Sequence, residues 1–410
     1  MSTQRLNILY VTPHFPFPLI GGERIKQYQL LRHLSKKHNI ILISMNRMYP
    51  ITDEYIHEIE KFGVEVHTYN IKHLKSMITG AFFTLFRHPL EIEYFRHNEM
   101  KKKIDEVLKN NKIDFIINYF LRTAEFVRQY DIPKVLISDD CRTMYQENTH
   151  PGSTSLYQKI LRRREVSKLR KYESEITNDF DCTTFVSQPD LEYMQRLNPR
   201  AKLDILSIGV DTELFSPPLD NSKRKNLLFT GKLDVWLNRM MAKNIIENIF
   251  PAISNEFPYI KLIIAGANPG PDILKYKSDN IEIYPNPENI AQFYQNAELF
   301  LHPQYGGSGL HNKLLEAMSC GCPSITTQNG IAGLYLSTEE KETMVASDLQ
   351  DFIQRSISIL KSNEIKSRLS LLHREYILKF HQWDSICYKM DEIIDYCLSK
   401  ESSNGSYISS

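Results

Sequence analysis

"GGSGLHNKLLEAMSCGCPSITT", residues 306–327, decides how the rest of the chain is read. Glycines at 306, 307 and 309 run into a segment where Leu314, Leu315 and Met318 recur at helical spacing, and the pattern stops at Gly321. A β-branched run, Ser324 to Thr327, follows, and "LFLHP" at 299–303 precedes. Strand, glycine-rich loop, helix, glycine stop and strand, in that order, is a βαβ unit with its loop leading into a helix N-terminus. Four of the chain's 16 glycines lie in these 22 residues. Glu316 stands among apolar neighbours, Leu314 and Leu315 before it and Ala317 and Met318 after it.

The same alternation extends in both directions. From the N-terminus, "LNILYVT" reads as a strand and "GGERIKQYQLLRHLSKKH" as a helix with Ile25, Tyr28, Leu31 and Leu34 on its apolar face. "NIILISM", "VEVHTYNI", "IDFIINYF", "KVLISDD", "CTTFVS" and "KLDILSIGVD" are further strands. The helix "DEYIHEIEKFG" precedes the third strand, and a long charged helix covers about 156–178. "DTELFSPPLDNSKRKN", 211–226, has a Pro pair, turn residues and a basic run but no periodicity, so it reads as a linker. The pattern then restarts with strand "LLFTG", a helix over about 239–256, strand "KLIIAG", a short helix, strand "IEIYP", helix "ENIAQFYQNA" and the opening unit. Near-continuous apolar strands alternating with helices mean parallel sheets covered on both faces. The expected architecture is two doubly wound α/β domains in tandem, with ligands beyond the carboxyl ends of the strands and in the cleft between the domains.

Composition narrows the function classes. At 410 residues the chain is long enough for two cores. A formal net charge of +1 offers no general footprint for nucleic acid. No apolar run reaches the roughly 20 residues of a membrane span, and the N-terminus lacks the order of a signal peptide. Cys320 and Cys322 have no second Cys/His pair at zinc spacing, so the six cysteines read as buried thiols of a cytoplasmic protein.

Two glycine-rich loops suit an anion, although each taken alone suits a tight turn about as well. One precedes the helix at 310; the other is "PHFPFPLIGGERIKQY", with Gly21 and Gly22 between the first strand and first helix. Glycine lets backbone N–H groups approach a phosphate closely, and a helix N-terminus favours negative charge. Neither loop fits G-x-G-x-x-G or the P-loop pattern. Glu316 has two readings from spacing alone. It is either a solvent-facing residue paired with Lys313 at i, i+3, or a carboxylate accepting hydrogen bonds from two adjacent hydroxyls such as those of a ribose.

"GSGLHNKLLEAMSCGCPSITT" resembles the donor-site helix of glycosyltransferase family 4, and most of all the subgroup of bacterial exopolysaccharide synthesis, whose helix reads G-G-x-x-N-K-x-L-E-A-M-x-x-G-x-P. "NILYVTPHFPFPLIGGERIKQYQLLRHLSKKH" is similar to that family's first strand, Gly-Gly loop and first helix. "LSIGVDTELFSP" is similar to its segment entering the linker, "LLFTGKLD" to the first strand of its second domain, and "FHQWDSICYKM" to the C-terminal helix that crosses back. The resemblance implies the GT-B fold: two Rossmann-like domains with parallel sheets facing a central cleft. It implies an acceptor-side domain at 1–210 joined by a crossing helix at about 381–400, a nucleotide-sugar domain at 211–380, and a flexible tail at 401–410. The implied activity is retaining transfer of a sugar from a nucleotide-sugar donor to a glycan or lipid-linked acceptor in cell-surface or exopolysaccharide synthesis, with no cofactor and no metal for the transfer itself. A nucleotide-sugar epimerase or a non-catalytic GT-B subunit is the alternative.

Carried over residue by residue, Glu316 matches the second Glu of the family's E-x7-E pattern, which holds the ribose. Lys232 matches the basic residue that neutralises the leaving diphosphate, and Gly21 and Gly22 match the loop lying against the donor phosphates. The donor-binding set is completed by Arg239, Gly307, Ser308, Gly309, Leu310, His311, Asn312 and Lys313. Three departures stand out. Ser308 replaces the first Glu; Leu237 occupies the usual second lysine position, leaving Arg239 or Lys313 as substitutes; and "SDDCRT" at 138–143 replaces the family's first-domain His. Asp139 and Asp140 are read as the end of a strand. The basic, aromatic stretch 71–97 is read either as packing helices or as a peripheral membrane contact.

Overall fold

The computed structural model describes residues 5–46, 51–70, 88–148, 156–220, 224–306 and 309–404. The chain divides into two compact units, Met1–Ser207 with Asp384–Ser410, and Ile208–Trp383.

The first unit is a seven-stranded sheet: β1 (Asn7–Thr12), β2 (Asn39–Asn46), β3 (Glu65–Asn70), β4 (Phe115–Tyr119), β5 (Lys134–Asp139), β6 (Cys182–Phe185) and β7 (Leu203–Ile205), in the order β3-β2-β1-β4-β5-β6-β7. Every described pairing is parallel, with Leu9 of β1 opposite Ile41 on one side and Ile116 on the other. Parallel neighbours need crossovers, so helices cover both faces and the central strands carry unbroken apolar runs. β4 and β5 are buried at every residue. Helix Asn98–Asn110 buries Met100, Ile104 and Val107, spaced four and three apart, in the cluster that holds Leu9, Ile116 and Leu136. Helix Leu156–Ile176 adds Leu169, Tyr172 and Ile176. Most of the 71–97 stretch falls outside the described residues.

Helix Gly22–Leu34 departs from its expected face. Leu31 and Leu34 are buried, but Ile25 and Tyr28 are only half-buried, while Arg24, Lys26 and Gln27 are buried in their place. The reason is an ion pair that periodicity cannot show. Lys26 Nζ lies 2.6 Å from Asp139 Oδ1 and 2.6 Å from the Leu206 carbonyl, and Tyr119 Oη donates to Asp139 Oδ2 at 2.5 Å. Asp139 is the last residue of β5, as expected, and takes φ 60°, a left-handed conformation that Asp tolerates better than most residues.

The second unit is a six-stranded parallel sheet: β8 (Asn226–Thr230), β9 (Leu262–Gly266), β10 (Ile281–Pro285), β11 (Ala297–His302), β12 (Ser324–Thr327) and β13 (Val345–Ala346), in the order β10-β9-β8-β11-β12-β13. β13 has two residues, too few to show a strand period in sequence. The helix expected over 239–256 begins earlier, at Trp236, and is not uniform. Helix Trp236–Asn244 passes through a π-helical turn, Ile245–Ile249, into Phe250–Glu256. Pro251 sits at the start of that last segment. It lacks an N–H and crowds the preceding turn, and the wider π turn accommodates both demands.

Candidate functional site

In the second sheet the strand order reverses between β8 and β11, and open parallel sheets take ligands at the carboxyl ends of strands where this happens. β8 delivers Thr230, then Gly231 and Lys232; β11 delivers His302. Helix Asn312–Ser319 returns over this edge, with His311 as N-cap and no side-chain cap hydrogen bond. It ends as the glycine predicts: Gly321 has φ 57°, its N–H bonds to Met318 O at 2.9 Å, and Cys322 N–H bonds to Ala317 O at 2.9 Å. Leu314, Leu315, Ala317 and Met318 face the core, which leaves Glu316 at the margin, partly exposed.

Neither reading of Glu316 from spacing anticipated its surroundings. The i, i+3 ion pair with Lys313 is not formed; the two side chains are held by different partners. Glu316 Oε2 accepts from Tyr294 Oη at 3.0 Å, and that hydroxyl lies 2.7 Å from Thr230 Oγ1. Tyr294 is fully buried on helix Ala291–Asn296. Lys313 Nζ instead donates to Asn238 Oδ1 at 2.5 Å and lies 5.0 Å above the Phe229 ring. Asn238 Nδ2 in turn donates to the Lys232 carbonyl at 3.0 Å. A Cβ on Gly231 would sit 3.0 Å from Lys313 Nζ and 3.1 Å from Asn238 Cγ, so a larger residue there would push both side chains aside by a few tenths of an ångström.

Burial raises the Glu316 carboxyl to about 7, although the Tyr294 hydrogen bond and the Lys313 charge oppose the rise. Burial lowers the Lys313 ammonium to about 7, opposed by Glu316. Carboxyl and amine are thus both poised to change charge near neutrality. A ligand that donates hydrogen bonds to the carboxylate, or brings anionic oxygens to the amine, favours the ionised forms.

Lys232 is half-buried, and its ammonium has no partner among the described residues. Arg239 is more committed than expected: Nε donates to the Leu233 carbonyl at 3.3 Å, and the guanidinium stands 3.9 Å from Asp272, which Lys243 pairs at 2.8 Å. Gly309 has φ 75°, and Leu310, His311 and Asn312 lead into the helix. Gly307 and Ser308 lie outside the described residues. Gly21 and Gly22 belong to the first unit, where Gly21 is the N-cap of helix Gly22–Leu34 with φ 105°.

The sequence reading omitted Tyr294, Thr230, Asn238 and His302. Tyr294 and Thr230 look like ordinary helix and strand core residues, and nothing in their spacing ties them to Glu316. His302 is fully buried. Thr326 Oγ1 donates to the His302 carbonyl at 2.9 Å, so the 3.0 Å contact between that oxygen and Nδ1 requires an Nδ1–H donor. Burial, followed by the His311 and Lys313 charges and opposed by the Gln304 side chain, holds the imidazole well below its usual range, so its Nε2 carries a lone pair. Among the described residues, no group of His, Cys, Asp and Glu is placed to hold a metal ion, and no helix is long and apolar enough to cross a membrane.

Residues 224–362 match the family of glycosyl transferases group 1. Over 379 residues the chain is 22% identical to an uncharacterized 44.6 kDa protein in the cps region of Klebsiella pneumoniae, covering 87% of this chain and 91% of that one. Over 241 residues it is 23% identical to the GDP-mannose-dependent alpha-(1-6)-phosphatidylinositol monomannoside mannosyltransferase of Mycolicibacterium smegmatis, covering 53% of this chain and 63% of that one. Among solved structures, sucrose-phosphate synthase of Thermosynechococcus elongatus superposes with a TM-score of 0.71 at 16% identity, over 97% of this chain and 100% of that one. The fold, two parallel sheets of seven and six strands with their helices, is that of the GT-B glycosyltransferases.

Proposed function

The chain carries a group 1 glycosyl transferase domain in its second half, and from that premise we propose that it is a retaining glycosyltransferase using a nucleoside diphosphate sugar as donor and a glycan or lipid-linked acceptor. The observation that carries this reading is the Thr230–Tyr294–Glu316 chain of hydrogen bonds, buried at Thr230 and Tyr294, which holds one partly exposed carboxylate at the switch edge of the second sheet. Two vicinal hydroxyls of a ribose satisfy a carboxylate held in this way, each charge-assisted bond contributing about 1.5–3 kcal/mol. The diphosphate is assigned to the uncapped start of helix Asn312–Ser319, with Lys313 and the unpartnered Lys232 as cations.

Transfer needs the leaving diphosphate to be stabilised as the glycosidic bond breaks and negative charge grows on its oxygens. Lys232 is free to move toward that charge, whereas Lys313 is fixed by Asn238 and Phe229. The helix N-terminus supplies aligned N–H dipoles. Cations and helix dipole together do the work that a metal ion does elsewhere, so the transfer is proposed to run without one. No side-chain nucleophile is assigned: attack on the face the diphosphate leaves, with a phosphate oxygen taking the acceptor proton, retains configuration. The cps-region relative favours cell-surface polysaccharide as the pathway.

Calorimetry with uridine and guanosine diphosphates and their 2′-deoxy forms tests the ribose assignment. The wild type is expected to bind at least one ribonucleotide about tenfold or more tightly than its deoxy counterpart, and Glu316→Gln to erase most of that difference. Equal discrimination in both proteins rejects the assignment.

A further inference from the structure

The first unit contains a cavity of about 230 Å³ that the donor reading does not use. It lies among helix Leu90–Tyr94, the start of helix Asn98–Asn110 and the 3₁₀ segment Leu121–Phe126. That volume is below the roughly 300–1,000 Å³ of sites for drug-sized ligands, so the occupant is small.

Charge decides what kind of ligand fits. The cavity is lined by Arg96, Lys101 and Arg122, which at first suggest an anion, but each already meets a carboxylate, Arg122 sharing that of Glu91 with Arg142. Arg96 donates to Glu93 at 3.2 Å, Arg122 to Glu91 at 2.7 Å, and Lys101 to Asp105. The lining carboxylate of Glu125 is likewise taken by Arg128 at 2.6 Å. The amides of Asn98 and Gln129 and the His88 imidazole make no hydrogen bond among the described residues. Phe126 adds an aromatic ring to the wall. Unpaired amides among ion-paired side chains, with an aromatic ring in the wall, match the hydroxyls and C–H groups of a pyranose better than they match a phosphate.

The wall is tied to the sheet edge where the strand order of this unit reverses. Arg122 Nη1 lies 3.0 Å from His14 Nε2, in the loop after β1, and Glu91 also receives Arg142, just after β5, at 3.2 Å. We propose that this cavity is a subsite for one neutral sugar ring of a glycan acceptor. Calling the occupant an acceptor rests on the glycosyl-transfer reading; the preference of the cavity for a neutral polyol does not.

Saturation-transfer NMR on the full chain, with a panel of methyl glucosides, galactosides, mannosides and N-acetylglucosaminides, reads occupancy directly. Gln129 and Asn98 both line the cavity and are exposed, so Gln129→Trp and Asn98→Trp each fill part of it with little risk to folding. At least one glycoside is expected to bind the wild type, and both variants to weaken it about tenfold or more while their melting temperatures and nucleotide affinities stay unchanged. Absence of any glycoside signal, an unchanged signal in both variants, or displacement of the glycoside by inorganic phosphate overturns the proposal. If neither uridine nor guanosine diphosphate raises the melting temperature of the wild type, the acceptor assignment falls with the transfer reading, while the glycoside result still decides the cavity.

Discussion

A carboxylate and an amine three residues apart on one helix would ordinarily pair across it, yet Glu316 and Lys313 are separated by their other partners. Tyr294 holds one and Asn238 the other, and burial brings both to about 7. Ribose hydroxyls bind the ionised carboxylate, so affinity should rise as pH increases through the Glu316 value. Phosphate oxygens bind the protonated amine, so affinity should fall as pH increases through the Lys313 value. The product is a bell centred near neutrality, broadened because binding itself pulls the two values apart. A nucleotide sugar is the right probe, since its diphosphate does not titrate in that range. Calorimetry from about pH 5 to pH 9 should show both limbs, with a slope of up to about tenfold per unit. Glu316→Gln should flatten the acid limb and Lys313→Met the alkaline one. A monotonic profile in the wild type would refute the pairing of roles.

The helix that carries these groups is held in register at its C-terminal end by Gly321, and this is a property of the element. Its positive φ lets Gly321 and Cys322 close the last turn, and a Cβ there would sit 2.8 Å from Ser370 Oγ on helix Asn363–Phe380. Gly321→Ala should therefore cost about 1–2 kcal/mol from backbone strain alone, read as a lower midpoint in urea. Because the helix start is anchored separately through Lys313, nucleotide affinity at saturating stability should change less than the midpoint does. A midpoint equal to wild type would show that the turn relaxes without cost. The glycine stop, the strand before the loop and the β-branched strand after it were all legible in sequence, because local backbone preference and the 3.6 and 2.0 periods decide them. The π turn at Ile245–Ile249 was not, since Pro251 signals a disturbance without saying how the helix absorbs it.

At the scale of the molecule, the buried Lys26–Asp139 pair links the helix after β1 to the ends of β5 and β7. Lys26→Met should destabilise the protein by about 3–5 kcal/mol, because Asp139 is left as a buried charge with only Tyr119 to serve it. Adding Asp139→Asn, which keeps a residue suited to positive φ, should recover a large part of that loss. Urea denaturation curves for Lys26→Met, Asp139→Asn and the double variant would show it, and an additive loss in the double variant would mean that the two residues do not act as a pair.

The sequence by itself determined that the chain alternates strands and helices in two runs, that parallel sheets result, that Lys232 follows a strand end, and that Glu316 lies in the helix behind a glycine-rich loop. Those properties follow from period, turn chemistry and apolar pattern, all of which act within a few residues. Only the tertiary structure decided which groups meet. Tyr294 reaches Glu316 from 22 positions away and is itself met by Thr230 from 64 positions away, and Lys26 reaches Asp139 across 113. It also set carboxylates against the basic wall of the first-unit cavity, which a reading of charge along the chain cannot show. Hydrogen bonds and ion pairs between distant segments depend on strand order and helix rotation, and these are settled by packing the whole core at once rather than by any local stretch.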